Sequence, residues 1–420
     1  MQPQAPTSTQ SPRRIQLMDT TLRDGEQTPD VAFCSEEKLL IVEQLLEQVG
    51  VDRVEVCSAR VSPGEQAAAA RIAQWAAERG RTRQIEALGF VDGQRSATWL
   101  SSAGITRVNL LVKGSERHCR LQLGMSLAQH LARIAETLAA AERLGMELSG
   151  VYLEDWSRGC RESPAYVATL IEGLQRLGAS RIYLADTLGV LGPADVLREV
   201  RRMCRAFPTL VFEFHAHNDY GLATANCLAA VRAGVRGLHT TVNGLGERAG
   251  NADLAQVAVA LRDHARALTG VDEAALWALS QQVARASGLG VAHNAPLLGA
   301  SAFTQTAGVH ADGDAKAALY CSALAPERFG RSREYALGKL AGRASLAHHL
   351  RELGIDLGPS AGATMPPGNA REITPGNARE ISEQSDLLEQ LREHVVELGD
   401  RKQRVRPADL QRWLAPRMLR

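Results

Sequence analysis

A chain of 420 residues is long enough for one large domain with appendages. Its formal net charge of +1 leaves no basic excess for nucleic acid, and no apolar run is long enough to span a bilayer. Seven scattered cysteines, with neither CxxC nor zinc-finger spacing, favour reduced thiols in the cytoplasm.

The first 13 residues are polar, with no apolar h-region, and read as a disordered tail rather than a secretory signal. From residue 15 onward, short β-branched runs alternate with longer amphipathic ones. Strands are expected over 15–19, 53–57, 85–90, 107–112, 150–154, 181–186, 211–215 and 237–242. Helical patterns lie between them, for example over 36–49, 64–78, 164–177 and 193–206. Eight β-then-α units over about 250 residues predict an α/β fold, a (β/α)8 barrel, over 14–290. An open doubly wound sheet is the main competitor, but no GxGxxG follows the first strand. The pattern turns mixed over 291–355, expected as a lid subdomain. A Pro/Gly-rich stretch over 356–384 repeats Pro-Gly-Asn-Ala-Arg-Glu-Ile once and predicts a flexible linker. Helical spacing of Leu387, Leu388, Leu391, Val395, Val396 and Leu398 predicts a short helical subdomain over 385–420.

The run Asp19-Thr-Thr-Leu-Arg23-Asp24-Gly-Glu-Gln27 follows the first strand. The run His215-Ala-His217-Asn-Asp219 ends the seventh. Residues at i and i+2 share a strand face, so both imidazoles point one way. In a closed barrel the carboxyl ends of all strands meet at one mouth. Asp24, His215 and His217 then form a plausible facial set of metal ligands. Each signal alone has a plainer reading, as a surface histidine pair, a helix cap or a salt bridge. Their convergence on strand ends favours the metal. Asn251, in Gly244-Leu-Gly-Glu-Arg-Ala-Gly-Asn251, stands where the eighth helix opens, so capping and ligation are both open. A divalent cation with open positions suits a 2-oxo acid bound through its keto and carboxylate oxygens. Arg23 could stabilise a developing enolate or alkoxide. Mixed nitrogen and oxygen ligands admit Mn, Mg, Co or Zn. The cysteines Cys57, Cys119, Cys160 and Cys321 read as small core residues or inert thiols.

These three motifs, in this order, resemble the Claisen-condensing metalloenzymes on a barrel. That family includes 2-isopropylmalate, homocitrate and (R)-citramalate synthases, with 3-hydroxy-3-methylglutaryl-CoA lyase as a more distant relative. The resemblance covers nearly all of 14–350. It implies that acetyl-CoA, as co-substrate, condenses with a small 2-oxo acid and that the thioester is then hydrolysed. It implies metal ligation by Asp24, His215, His217 and Asn251, and polarisation of the keto oxygen by Arg23. It places Glu154 near the acetyl group, Thr187 on the substrate carboxylate, and His310 with Tyr320 as an acid/base pair with Asp312 nearby. In relatives the subdomain after the barrel reaches over the partner's barrel in a homodimer, so lid exchange is expected here.

The family lines its side-chain pocket from strands 3, 4 and 5, where this chain carries Leu88, Leu111 and Tyr152. Their bulk leaves room for a methyl group and favours pyruvate, with 2-oxoisovalerate as the alternative. The stretches 109–115, 151–157 and 326–330 resemble the (R)-citramalate branch. Ala318 stands where close relatives carry asparagine. The sequence ends at Arg420, before the C-terminal domain with which relatives bind an end-product amino acid, so insensitivity to leucine and isoleucine is expected. A retro-Claisen lyase carries a reactive cysteine in its glycine-rich loop, and 244–251 has none. A non-catalytic sensor barrel would dispense with Arg23 or His310, and both are present.

Overall fold

A computed structural model describes residues 13–355, 375–403 and 405–418. Eight parallel strands close into a barrel in sequence order. They are β1 (Gln16–Asp19), β2 (Arg53–Ser58), β3 (Ile85–Phe90), β4 (Arg107–Lys113), β5 (Glu147–Glu154), β6 (Arg181–Asp186), β7 (Val211–Ala216) and β8 (Gly237–Thr240). Closure is direct: β1 pairs with β8 from Gln16↔Gly237 to Asp19↔Thr240. β5 begins three residues before the expected position. β8 ends at Thr240, where the chain enters a short turn of helix over Val242–Gly244.

Strand alternation sorts the side chains into two faces. Val54, Val56, Val108, Leu110, Val151, Leu153, Ile182, Leu184, Phe212 and Phe214 are buried on one face. Between them run Arg53, Glu55, Glu86, Asn109, Tyr183, Glu213 and His239, buried and bonded to one another across the barrel. The apolar periodicity therefore marks the outer face, toward the helices. The interior contains a polar layer. Arg53 sits at its centre, donating to both Glu213 oxygens at 2.7 and 2.6 Å, to Glu86 at 3.1 Å and to the Tyr183 hydroxyl at 3.2 Å.

The helical run expected over 36–49 is an α-helix over Ser35–Glu43 that widens into a π turn over Gln44–Val49. It stops at Gly50, whose φ of +81° and 2.6 Å approach of a would-be Cβ to the Gly270 carbonyl exclude a side chain. Arg13, assigned from sequence to the tail, instead pairs with Ala267 in a short parallel bridge. Its guanidinium donates to the carbonyls of Val231, Gly234 and Val235, which fixes it. The rest of the expected tail lies outside the described residues.

The chain divides into two compact units near residue 292. The second contains helices over Gly308–Ala317, Arg343–Glu352, Pro375–Asp400 and Pro407–Met418. Leu346, Leu350, Leu388, Leu391, Val395, Leu410 and Leu414 form its core. The long helix starts at Pro375, inside the stretch expected as linker. Proline is tolerated at a first helical position because that N–H has no intrahelical partner. The remainder of the expected linker, 356–374, lies outside the described residues. Among the described residues no helix is long and apolar enough to cross a membrane.

Candidate active site at the barrel mouth

Beyond β1 the backbone turns sharply. The amides of Arg23, Asp24 and Gly25 all donate to the Thr20 carbonyl, at 3.1, 2.8 and 3.1 Å. The turn is tied to its neighbours: Asp19 accepts from the Thr21 amide at 2.9 Å, and the Thr21 hydroxyl accepts from the Val242 amide at 2.8 Å. Arg23 and Asp24 are thereby held beside the β8 loop. His215 closes β7, and His217 forms an isolated antiparallel bridge with Asn251.

Asp24, His215 and His217 are all buried, and one potential ligand atom from each lies within 4.8 Å of the others. The two imidazole Nε2 atoms are 3.4 Å apart, and His215 Nε2 is 3.0 Å from Asp24 Oδ2. Asn251 donates its Nδ2 to the Leu245 carbonyl at 3.0 Å, while its Oδ1 is buried without a partner. Helix capping does not occupy it: Asp253 caps the following helix, accepting from the Gln256 amide at 2.8 Å. Glycine is needed around it, because a Cβ on Gly246 would lie 2.2 Å from Asn251 Nδ2. The donor set thus fits a divalent cation: one carboxylate and two imidazoles buried together, with an orphaned amide oxygen on the residue bridged to His217.

The protonation states agree with that chemistry. Burial lowers the His217 imidazole to about 4, so it is neutral, the ligating form, at pH 7. Burial alone would raise the Asp24 carboxyl. The Arg23 guanidinium and His215 outweigh it and hold Asp24 well below the usual carboxylate range.

Arg23 is gripped on three sides. Its Nε donates to Glu55 Oε2 at 2.5 Å, its Nη2 lies 3.2 Å from the Tyr152 hydroxyl, and its Nη1 lies 3.2 Å from Asp24 Oδ2. Tyr152 in turn donates to Glu55 at 3.2 Å, and Asn109 donates to the other Glu55 oxygen at 2.7 Å. Glu55 was missed in the sequence. Its signal was there: a carboxylate inside the apolar strand Val-Glu-Val, where only an inward-facing partner could justify burial.

Leu88 and Tyr152 are buried in one cluster with Met18 and Tyr183, and Leu111 packs against it. Phe90, not singled out from sequence, packs there too. The Tyr152 ring meets Tyr183, His239 and His215 edge-on, with centroids 4.7, 5.2 and 5.8 Å apart. The Thr187 hydroxyl accepts from the Asp155 amide at 2.8 Å, which leaves its own hydrogen free to donate. Glu154, at the end of β5, is ion-paired with Lys113 at the end of β4.

The second unit holds the remaining sequence candidates. The His310 and Tyr320 rings lie together, centroids 4.1 Å apart and planes inclined at 34°. Asp312 sits half-buried on the same helix as His310. Asp314, overlooked in the sequence, organises the surroundings: it accepts from the Tyr320 amide at 2.8 Å, Arg333 at 2.7 Å and the Tyr335 hydroxyl at 3.0 Å. Ala318 ends the helix with φ of +51°, a conformation that asparagine tolerates better than alanine. All seven cysteines are free, and burial raises the thiols of Cys57, Cys160 and Cys227.

A model of the HMGL-like family matches residues 14–283, and one of the homocitrate synthase post-HMGL domain matches 297–365. A provisionally assigned (R)-citramalate synthase of Methanopyrus kandleri is 35% identical over 400 residues, 95% of this chain and 72% of the relative. A homocitrate synthase of Frankia alni is 35% identical, over 83% of this chain and 96% of its own. A 2-isopropylmalate synthase of Brevibacillus brevis is 33% identical, over 82% and 68%. Among solved structures, the HMG-CoA lyase of Bacillus subtilis superposes with a TM-score of 0.57 at 24% identity, over 67% of this chain and 96% of that one. That likeness concerns the fold.

Proposed function

The chain belongs to the HMGL-like family, and from that premise we propose that it condenses acetyl-CoA with a small 2-oxo acid, pyruvate first among them, to give (R)-citramalate and CoA. The observation that carries this reading is the buried cluster of Asp24, His215 and His217 beside Arg23, with an orphaned amide oxygen on Asn251, the residue bridged to His217. The relatives named above are synthases of three 2-oxo-acid branches at similar identity, which supports the reaction class but not one branch. The choice of pyruvate is supported by the bulk of Leu88, Leu111, Tyr152 and Phe90 in one cluster. The similar identity to 2-isopropylmalate synthases supports a second reading, with 2-oxoisovalerate as the acceptor.

A divalent cation held by Asp24, His215, His217 and Asn251 supplies, when bound, Lewis-acid polarisation of the keto oxygen. Arg23, fixed by Glu55 and Tyr152, presents its guanidinium to the oxygen on which negative charge develops. Thr187 donates its free hydroxyl hydrogen to the substrate carboxylate. Glu154 faces the acetyl group. A methyl proton leaves acetyl-CoA, the new carbon–carbon bond forms at the keto carbon, and the resulting alkoxide takes up a proton. Water then cleaves the thioester, releasing CoA and a second carboxylate. We assign the acid/base pair to His310 and Tyr320, with Asp312 beside them, and include a homodimer with lid exchange in the same proposal.

The test is CoA release from acetyl-CoA with a panel of 2-oxo acids, with and without EDTA. Pyruvate-dependent release that chelation abolishes and Mn²⁺ restores is expected. Activity that survived exhaustive chelation would sink the metal role. A tenfold preference for 2-oxoisovalerate, about one methyl group's worth of discrimination, would replace citramalate synthase by isopropylmalate synthase.

A further inference from the structure

We propose that Lys113 is a positioning residue for the condensation, acting through Glu154: its ammonium holds that carboxylate in place at the barrel mouth. The proposal rests on the reading of Glu154 given above.

Lys113 and Glu154 are register partners on adjacent strands, the last pair of the β4–β5 ladder. Cross-strand partners share a face, so both side chains project into the mouth. Lys113 Nζ is bonded to Glu154 Oε2, and the two side chains are only 13% and 23% exposed. A pair this far from water is screened much less than a surface pair. Among the described residues Lys113 is the only side chain bonded to Glu154, and it takes Oε2, not Oε1. A second carboxylate oxygen with no protein partner is the atom expected of a group that works on a ligand.

The backbone around the pair is fixed from both sides. The Lys113 carbonyl accepts from the Tyr166 hydroxyl at 2.9 Å, and that hydroxyl lies 3.4 Å from buried His130 Nδ1. The Gly114 amide donates to the Glu154 carbonyl at 2.7 Å. A Cβ on Gly114 would lie 2.8 Å from that same oxygen, so the chain beyond Lys113 rests directly on Glu154. Two helices and two strands thus hold one lysine against one carboxylate. A bridge that only stitched β4 to β5 would be redundant here, because the strands are already paired at every residue from Asn109 to Lys113.

The chemistry gives the pairing a purpose. With Lys113 bonded to one carboxylate oxygen, the other is left to accept from a water poised for thioester cleavage. The ammonium also limits the carboxylate to one rotamer. A displacement of about 1 Å at such a group can cost on the order of a hundredfold in rate.

The experiment is a double-mutant cycle on the full chain with metal, using Lys113→Met, Lys113→Gln, Lys113→Arg, Glu154→Gln and the Lys113→Met/Glu154→Gln double variant. Thermal midpoints accompany kcat and KM for both substrates. Lys113→Met and Lys113→Gln are expected to lower kcat about 10- to 100-fold while KM for the oxo acid moves by less than about threefold. Lys113→Arg is expected to recover most of the loss. In the Glu154→Gln background, Lys113→Met is expected to change kcat by less than about twofold, because the group it serves is already gone. Equal losses in both backgrounds would assign Lys113 a purely structural role and overturn the proposal. So would Lys113→Gln with wild-type kcat. A wild-type chain that releases no CoA with any oxo acid overturns the functional reading itself, and this inference with it.

Discussion

Replacing Arg53 by methionine tests whether the barrel interior is held by its charges. Arg53 is 5% exposed, and its partners Glu86 and Glu213 are fully buried. Methionine keeps the stem volume but leaves two carboxylates without their central cation. Removing one partner of a buried pair costs about 3–5 kcal/mol. The lower end applies here, because Arg107 remains 3.6 Å from Glu86 and Arg181 remains 3.4 Å from Glu213. A loss of about 3 kcal/mol is expected at pH 8. The pH dependence follows from Glu213. Burial alone would raise its carboxyl, but Arg53 and His239 outweigh burial and hold it below the usual range. In the wild type its stabilising contribution is present above the unfolded value of about 4.3 and is lost only as pH falls below it, so it is flat from pH 5 to 8. Without Arg53, burial dominates and the carboxyl rises above its unfolded value. The folded variant then binds more protons than the unfolded chain, and its stability falls as pH rises. The difference between wild type and variant should therefore grow from pH 5 to pH 8. Urea denaturation followed by far-UV circular dichroism at several pH values reads both effects. A difference below about 1 kcal/mol, the size of a surface pair, or one independent of pH, would refute the reasoning.

Two other predictions concern the mouth. His217→Ala should abolish tight Mn²⁺ binding in calorimetric titration while leaving the fold intact; unchanged stoichiometry and affinity would remove His217 from the ligand set. Tyr152→Ser should raise the use of 2-oxoisovalerate relative to pyruvate about tenfold, with Tyr152→Phe as the control for the lost Arg23 and Glu55 contacts. An unchanged ratio would show that the cluster of Leu88, Leu111 and Tyr152 does not set the acceptor.

The sequence by itself determined the barrel, because eight apolar runs at regular spacing each need a covered outer face and can share one sheet. It also marked Arg23, Asp24, His215 and His217, since charged side chains at strand ends point to a mouth wherever such a barrel closes. It showed too that two bulky leucines and a tyrosine fall on strands 3, 4 and 5. It did not disclose what fills the barrel. Arg53, Glu86, Asn109, Glu213 and His239 belong to five different strands, and only closure brings them within hydrogen-bond distance. Glu55 and Lys113 are the same case at the barrel mouth: each lies in an unremarkable strand, and each is ion-paired with a residue 32 or 41 positions away. Whether Asn251 caps the following helix was likewise a tertiary matter. It turned on Asp253 taking the helix end and on a loop wrapped closely enough, with Gly246 against the amide, to leave one oxygen unpaired. Periodicity is a local property and survives in one dimension; the pairing of buried charges depends on which strands become neighbours across the interior, and that is fixed only when the sheet closes.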